Sequence, residues 1–240
     1  GNSNERSERE AGYLNLFEEF RVRGVLLSPV GDVAPRLRRM RDRDIPVVLV
    51  DRESSDSSFS SVSVDDVAGG ALATQHLIDT GRTRILFAGG PATIQQVGDR
   101  LTGARSVVDR HPGVTLEVVF GEELTALEGR RIGQTVADRA PADRPDAVFA
   151  ANDLMAIGLL QSLFIGGRLA VPDEIAIVGY DDILFAGASI VPLTSVRQPS
   201  HLIGETAVQI LLEEADDPSL APRHIRYQPE LVVRESTTPR

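Results

Sequence analysis

Short apolar runs alternate with amphipathic stretches along the whole chain. Residues 24–27, 46–50, 85–88, 115–120, 147–150, 175–178 and 231–233 read as strands. Most are continuous and rich in β-branched residues rather than alternating, the pattern of strands covered on both faces. Helices are predicted over 36–43, 66–80, 101–110, 127–140, 152–164 and 202–214. Gly81 sits where a C-terminal cap belongs, Pro141 stops the fourth helix, and Asn152-Asp153 can cap the fifth. The polar stretch 52–60 reads as a surface loop. Strand and helix alternate throughout, so the predicted class is α/β with parallel sheet.

The 240 residues leave room for one large domain or two small ones. Apolar runs such as 45–50 fall far short of the ~20 residues that span a bilayer, so no membrane partner is expected. The chain has no cysteine, which excludes a disulfide scaffold, a Cys-ligated zinc and a thiol nucleophile. Every basic residue outside the four histidines is arginine, so Schiff-base chemistry on lysine is excluded as well. A net charge of −10 makes this chain a poor binder of phosphate backbones.

Ligands of open parallel sheets bind beyond the carboxyl ends of the strands. The residues that follow the predicted strands are Ser28, Asp51, Asn152 with Asp153, and Asp181 with Asp182. These are acceptors with a few neutral donors, a set suited to a polyhydroxylated ligand, whose hydroxyls pair with carboxylates and arginine. Each has a plain structural alternative: Asn152 as a helix cap, Asp51 as a solvated strand end, Asp182 as a support or solvent-facing group. No histidine pair has metal-ligand spacing, no nucleophile elbow occurs, and Gly89-Gly90-Pro91 lacks a phosphate-loop pattern. No enzyme, cofactor or metal site is expected.

Four segments resemble one family. They are Val64-Asp65-Asp66-Val67-Ala68-Gly69-Gly70 leading to Gly89-Gly90-Pro91; Ala151-Asn152-Asp153-Leu154-Met155-Ala156-Ile157-Gly158; Val171-Pro172-Asp173-Glu174 through Val178-Gly179-Tyr180-Asp181-Asp182; and Pro192-Leu193-Thr194-Ser195-Val196-Arg197-Gln198-Pro199 with Pro229 to Ser236. In order and spacing they resemble the effector-binding core of lactose-repressor (LacI/GalR) transcriptional regulators. The resemblance implies two doubly wound, periplasmic-binding-protein-like (type I) subdomains with the effector in a cleft between them. The N-terminal subdomain would comprise 1–64 and 200–227, the C-terminal one 65–199 and 228–240. Effector contacts carried over would be Ser28 and Asp51 from the first, Arg100, Leu124, Asn152 and Asp181 from the second, and Gln198 at a crossover.

The implied function is a small-molecule sensor, for a sugar or related polyol, in a cytoplasmic homodimer. Operator DNA would be contacted only through an N-terminal domain not in this chain. The alternative is a stand-alone periplasmic solute-binding protein of a transporter, and a sugar-active enzyme would lack its acid–base pair. Two positions depart from the family: Leu124 stands where sugar binders often carry an aromatic ring, and Ser200 where a larger residue sometimes occurs. The start departs more. Residues 1–4 resemble the end of a second strand, so the first strand–helix unit is expected to be missing. That first strand is central in a 2-1-3-4-5 order, so its loss would leave 25–27 without it as partner and expose apolar surface.

Overall fold

The computed structural model describes residues 1–3, 6–30, 33–52, 57–165 and 167–238. The chain divides into two units, Gly1–Val64 with Pro199–Tyr227, and Asp65–Gln198 with Gln228–Arg240. Pro199 goes with the first unit because its carbonyl accepts the Ile203 N–H and so starts the helix that follows.

The first unit contains α1 (Ser7–Glu19), β1 (Val25–Leu27), α2 (Ala34–Arg41), β2 (Val47–Val50), β3 (Ser60–Val64), α8 (Ser200–Asp216) and β9 (His224–Tyr227). Its strands form one parallel sheet in the order β1-β2-β3-β9. Side chains alternate across a strand. Val47 and Leu49 therefore pack with Leu14 of α1 and Leu37 and Met40 of α2, while Val48 packs with Ile203, Ala207 and Ile210 of α8. β3 falls partly inside the stretch expected to be a loop. Its Ser60, Ser61 and Ser63 are buried, and two of them are satisfied by distant partners: Ser60 by Glu214, Ser61 by His224 at 3.0 Å. Residues 53–56 of that loop lie outside the described residues. Gly1 to Ser3 form no strand, contrary to expectation, and Asn4 lies outside the described residues. β1 ends the sheet order, pairs only with β2 among the described residues, and borders a cavity of about 430 Å³.

The second unit contains α3 (Asp66–Asp79), β4 (Arg84–Gly89), α4 (Gln95–Val108), β5 (Thr115–Phe120), α5 (Ala126–Asp138), β6 (Ala147–Ala150), α6 (Asp153–Phe164), β7 (Ala176–Asp181), α7 (Leu184–Gly187), β8 (Thr194–Arg197) and β10 (Glu230–Val232). Its sheet order is β10-β8-β7-β6-β4-β5, parallel except for β10. Strands β4 to β8 thus make a doubly wound 2-1-3-4-5 arrangement. Ile85, Phe87, Phe149 and Val178 face α3 and α4; Leu86, Val148 and Ile177 face α5 and α6. Phe87 and Phe149 meet edge to face at 5.3 Å. Each such buried side chain contributes ~1.5–3 kcal/mol.

Helix α4 begins at Gln95, six residues before the predicted start. The polar Gln95-Gln96 and Gly98 conceal a buried stripe of Val97, Leu101 and Ala104. Two helix pairs touch through glycines. A Cβ on Gly70 would strike the Arg100 carbonyl and one on Gly103 the Val67 carbonyl, which locks α3 to α4. Gly129 and Gly158 do the same for α5 and α6. Gly103→Ala is expected to destabilise the second unit by ~1–3 kcal/mol, read as a lower midpoint in denaturant, because two backbones would have to separate. Gly98→Ala, with nothing near its Cβ, is the control that should leave the midpoint unchanged or raised.

Candidate functional site

Arg100 is the centre of the candidate site. It lies in the second turn of α4 and is buried at 4% exposure. Its Nε donates to Asp66 Oδ1 at 2.7 Å, its Nη1 to the Ala151 carbonyl at 2.6 Å, and its Cζ stacks 3.6 Å from the Tyr180 ring centroid. Nη2 lies 3.9 Å from Asp181 Oδ1. Burial works against the guanidinium charge, but Asp66, Asp181 and the Tyr180 ring outweigh it and hold the proton more firmly than in water. Burial, reinforced by Asp66, pushes the Tyr180 hydroxyl well above the ordinary phenol range.

The local sequence explains how these groups meet. Asp65 caps α3 by accepting the Ala68 N–H at 2.9 Å, which places Asp66 in the first helical turn. Gly69 gives the Tyr180 hydroxyl room, since a Cβ there would strike it. Asp66 and Tyr180 were missed as site residues by sequence reading. Their one visible signal was the acidic pair ahead of Gly69-Gly70.

Asn152 caps α6, its Oδ1 accepting the Met155 N–H at 2.9 Å, and its Nδ2 donates to the Leu124 carbonyl at 3.1 Å. It is therefore a helix cap and also the tether of Leu124. Gly90 packs against the Leu124 side chain, which accounts for a glycine there without a phosphate. Asp181 ends β7 and accepts from Gln198 Nε2 at 2.7 Å. Burial raises its carboxyl, with Arg100 and Gln198 opposing. Asp181 and Asp182 have φ of +105° and +50°, a conformation costing ~1–3 kcal/mol per residue. Asp182 pairs with Arg197 and Arg234, each at 2.7 Å, and so supports the turn.

Within the second unit Arg100, Asp181 and Gln198 thus form one linked group, and Asn152 with Leu124 a second, which follows the Ala151 carbonyl that Arg100 holds. Ser28 and Asp51 belong to the first unit, directly after β1 and β2 at the carboxyl ends of neighbouring parallel strands, and Asp51 has φ +58°. Among the described residues no group of three or more His, Asp or Glu could hold a metal ion. No helix among them is long and apolar enough to cross a membrane.

The second unit has the doubly wound topology in which open parallel sheets hold ligands beyond the carboxyl ends of their strands. The family model for the periplasmic binding protein-like domain matches residues 74–237. The chain is 34% identical over 236 residues to the HTH-type transcriptional repressor PurR of Vibrio parahaemolyticus, covering 95% of this chain and 68% of that protein. It is 34% identical over 227 residues to the ribose operon repressor of Escherichia coli, covering 93% and 67%. A LacI family transcriptional regulator from Enterococcus faecium, solved with bound ribose, superposes with a TM-score of 0.87 at 25% identity, covering 95% of this chain and 84% of that one. The chain belongs to the LacI family of transcriptional regulators and matches its effector-binding core. These relatives are named as repressors, which favours a regulator over a transporter's solute-binding protein.

One titration follows from the site. Burial pushes Asp153, beside Asp181 and Asp182, up to about 7, against the pull of Ser195 and Ile183. An unfolded aspartate titrates near ~3.9. Between these values the folded chain binds more protons at Asp153 than the unfolded chain does, so this group lowers stability as pH rises. Asp181 acts in the same direction. The chemical-denaturation midpoint is expected to fall as pH rises from about 4 to about 7, with a shallower slope in Asp153→Asn. An identical slope in the variant would contradict this origin.

Proposed function

We propose that this chain is the sugar- or polyol-sensing core of a transcriptional repressor or activator, with no catalytic activity of its own. The observation that carries the reading is Arg100, fixed, charged and buried beside Asp181 and the Ala151 carbonyl at the strand ends. A guanidinium and a carboxylate held in place match the paired acceptors and donors of adjacent hydroxyls. Arg100 and Asp181 anchor the effector, Asn152 and Gln198 orient it, and Leu124 supplies an apolar face. The relatives solved or named with ribose make that pentose the first effector to test.

The effector acts by binding two arrangements of the chain with different affinity, which shifts their populations and with them operator affinity. Operator contact resides in a DNA-binding domain outside these 240 residues, since a net charge of −10 repels phosphate. The protein works in the cytoplasm, where the operator is. It acts as a homodimer, because paired heads read paired half-sites. An apolar patch of the second unit supports the dimer: Leu184, Phe185 and Ile190 are 87%, 66% and 60% exposed.

Ribose at a hundredfold excess over Kd is expected to stabilise the chain by ~2.7 kcal/mol, a rise of roughly 5–10 °C in melting temperature. Arg100→Ala is expected to abolish the rise, and Gln198→Ala, which leaves the buried Arg100–Asp66 pair intact, to reduce it in a chain that still melts cooperatively. A panel of pentoses, cellobiose and purines distinguishes the effector class, and a response to purine alone would overturn the sugar reading. Phe185→Glu is expected to convert a dimer to a monomer in sedimentation; an unchanged dimer would place the interface elsewhere.

A further inference from the structure

We infer that Asp153, outside the proposed effector contacts, is the positioning residue that fixes the turn carrying Asp181. The inference rests on the reading of Asp181 as an effector contact. Asp153 is the first residue of α6 and is wholly buried. Its Oδ2 accepts the Ile183 N–H at 2.8 Å. Its Oδ1 accepts the Ser195 hydroxyl at 2.6 Å, and that hydroxyl oxygen accepts the Asp182 N–H at 3.0 Å. Two successive amides of the turn therefore hang on one carboxylate, one directly and one through a single hydroxyl.

The surroundings are built around this clasp. Gly179 lies opposite Ser195 in the β7–β8 ladder, and a Cβ on it would occupy the place of Asp153 Oδ1. Asp181 and Asp182 both carry positive φ without being glycine. Such a pair relaxes toward ordinary backbone unless its amides are held. The Arg197 and Arg234 pairs hold the side chain of Asp182, whereas the clasp holds the main chain just beyond Asp181. The main-chain direction at that point decides where the Asp181 carboxylate stands relative to Gln198 and Arg100. In Asp153→Asn one of the two acceptor oxygens becomes an NH2 donor, so the side chain can no longer accept from both Ser195 and Ile183.

The test uses the 240-residue chain, Asp153→Asn, Ser195→Ala and Ser195→Thr, read by amide hydrogen exchange without ligand and by ribose titration. Asp153→Asn and Ser195→Ala are expected to melt cooperatively, to exchange the amides of residues 182 and 183 at least about tenfold faster with β6 unchanged, and to bind ribose about tenfold more weakly. Ser195→Thr, which keeps the hydroxyl, is expected to restore both readouts toward the parent. Unchanged exchange at both amides overturns the clasp, and so does unchanged ribose affinity in a chain that binds ribose. If the parent binds no ribose, that sugar is withdrawn as the effector, and exchange alone upholds or overturns the clasp. If Asp153→Asn does not fold, Ser195→Ala decides by the same two readouts.

Discussion

A guanidinium withdrawn from water needs negative charge and carbonyl oxygen on every side, and in this chain Arg100 draws four elements together to obtain them. Asp66 comes from the start of α3, the Ala151 carbonyl from the end of β6, and Tyr180 and Asp181 from the end of β7. Leaving one of these partners out would strand a buried charge, a loss of several kcal/mol. The charge therefore sets the register of α3 on α4 and the closeness of both to the sheet. Gly69 and Gly70 are the backbone's answer to that closeness.

The same economy of space recurs around the strained turn after β7. Gly179 leaves room for Asp153, and Asp153 carries the amides that follow Asp181. Three carboxylates stand within one short region, and each is managed differently. Asp153 is buried against hydroxyl and amide donors, Asp181 is shared by Arg100 and Gln198, and Asp182 is held between two arginines. Their repulsion is met by the neighbouring donors and, below about pH 7, by the proton that Asp153 keeps.

Legibility in the sequence follows the source of each element's stability. β4 and β6 were readable because their burial on both faces is written as unbroken Ile, Leu, Phe, Val and Ala. Helices α3, α5 and α6 were readable from their caps and spacing. β3 was not, because its serines are satisfied by Glu214 and His224, some 150 residues away in the chain, a pairing that no local window contains. β9 escaped for the same reason, its partner β3 lying far off in sequence, and β8 because four residues with three polar side chains show no apolar run. Asn152 and Asp181 stood out simply by following strands. Arg100 was reached only through family resemblance, since its helix is hidden behind Gln95-Gln96 and Gly98.

By itself the sequence determined the α/β class, the positions of most strands, the polar groups at their carboxyl ends, and the chemistries that lack of cysteine and lysine excludes. These depend on side-chain type and local periodicity, which act over a few residues. Only the tertiary structure decided that Asp66 and Tyr180 hold Arg100, that Asn152 both caps a helix and tethers Leu124, and that Asp153 clasps the turn behind Asp181. Those facts depend on which atoms meet after chain segments distant in sequence have packed, and burial, charge pairing and steric room are properties of that packing alone.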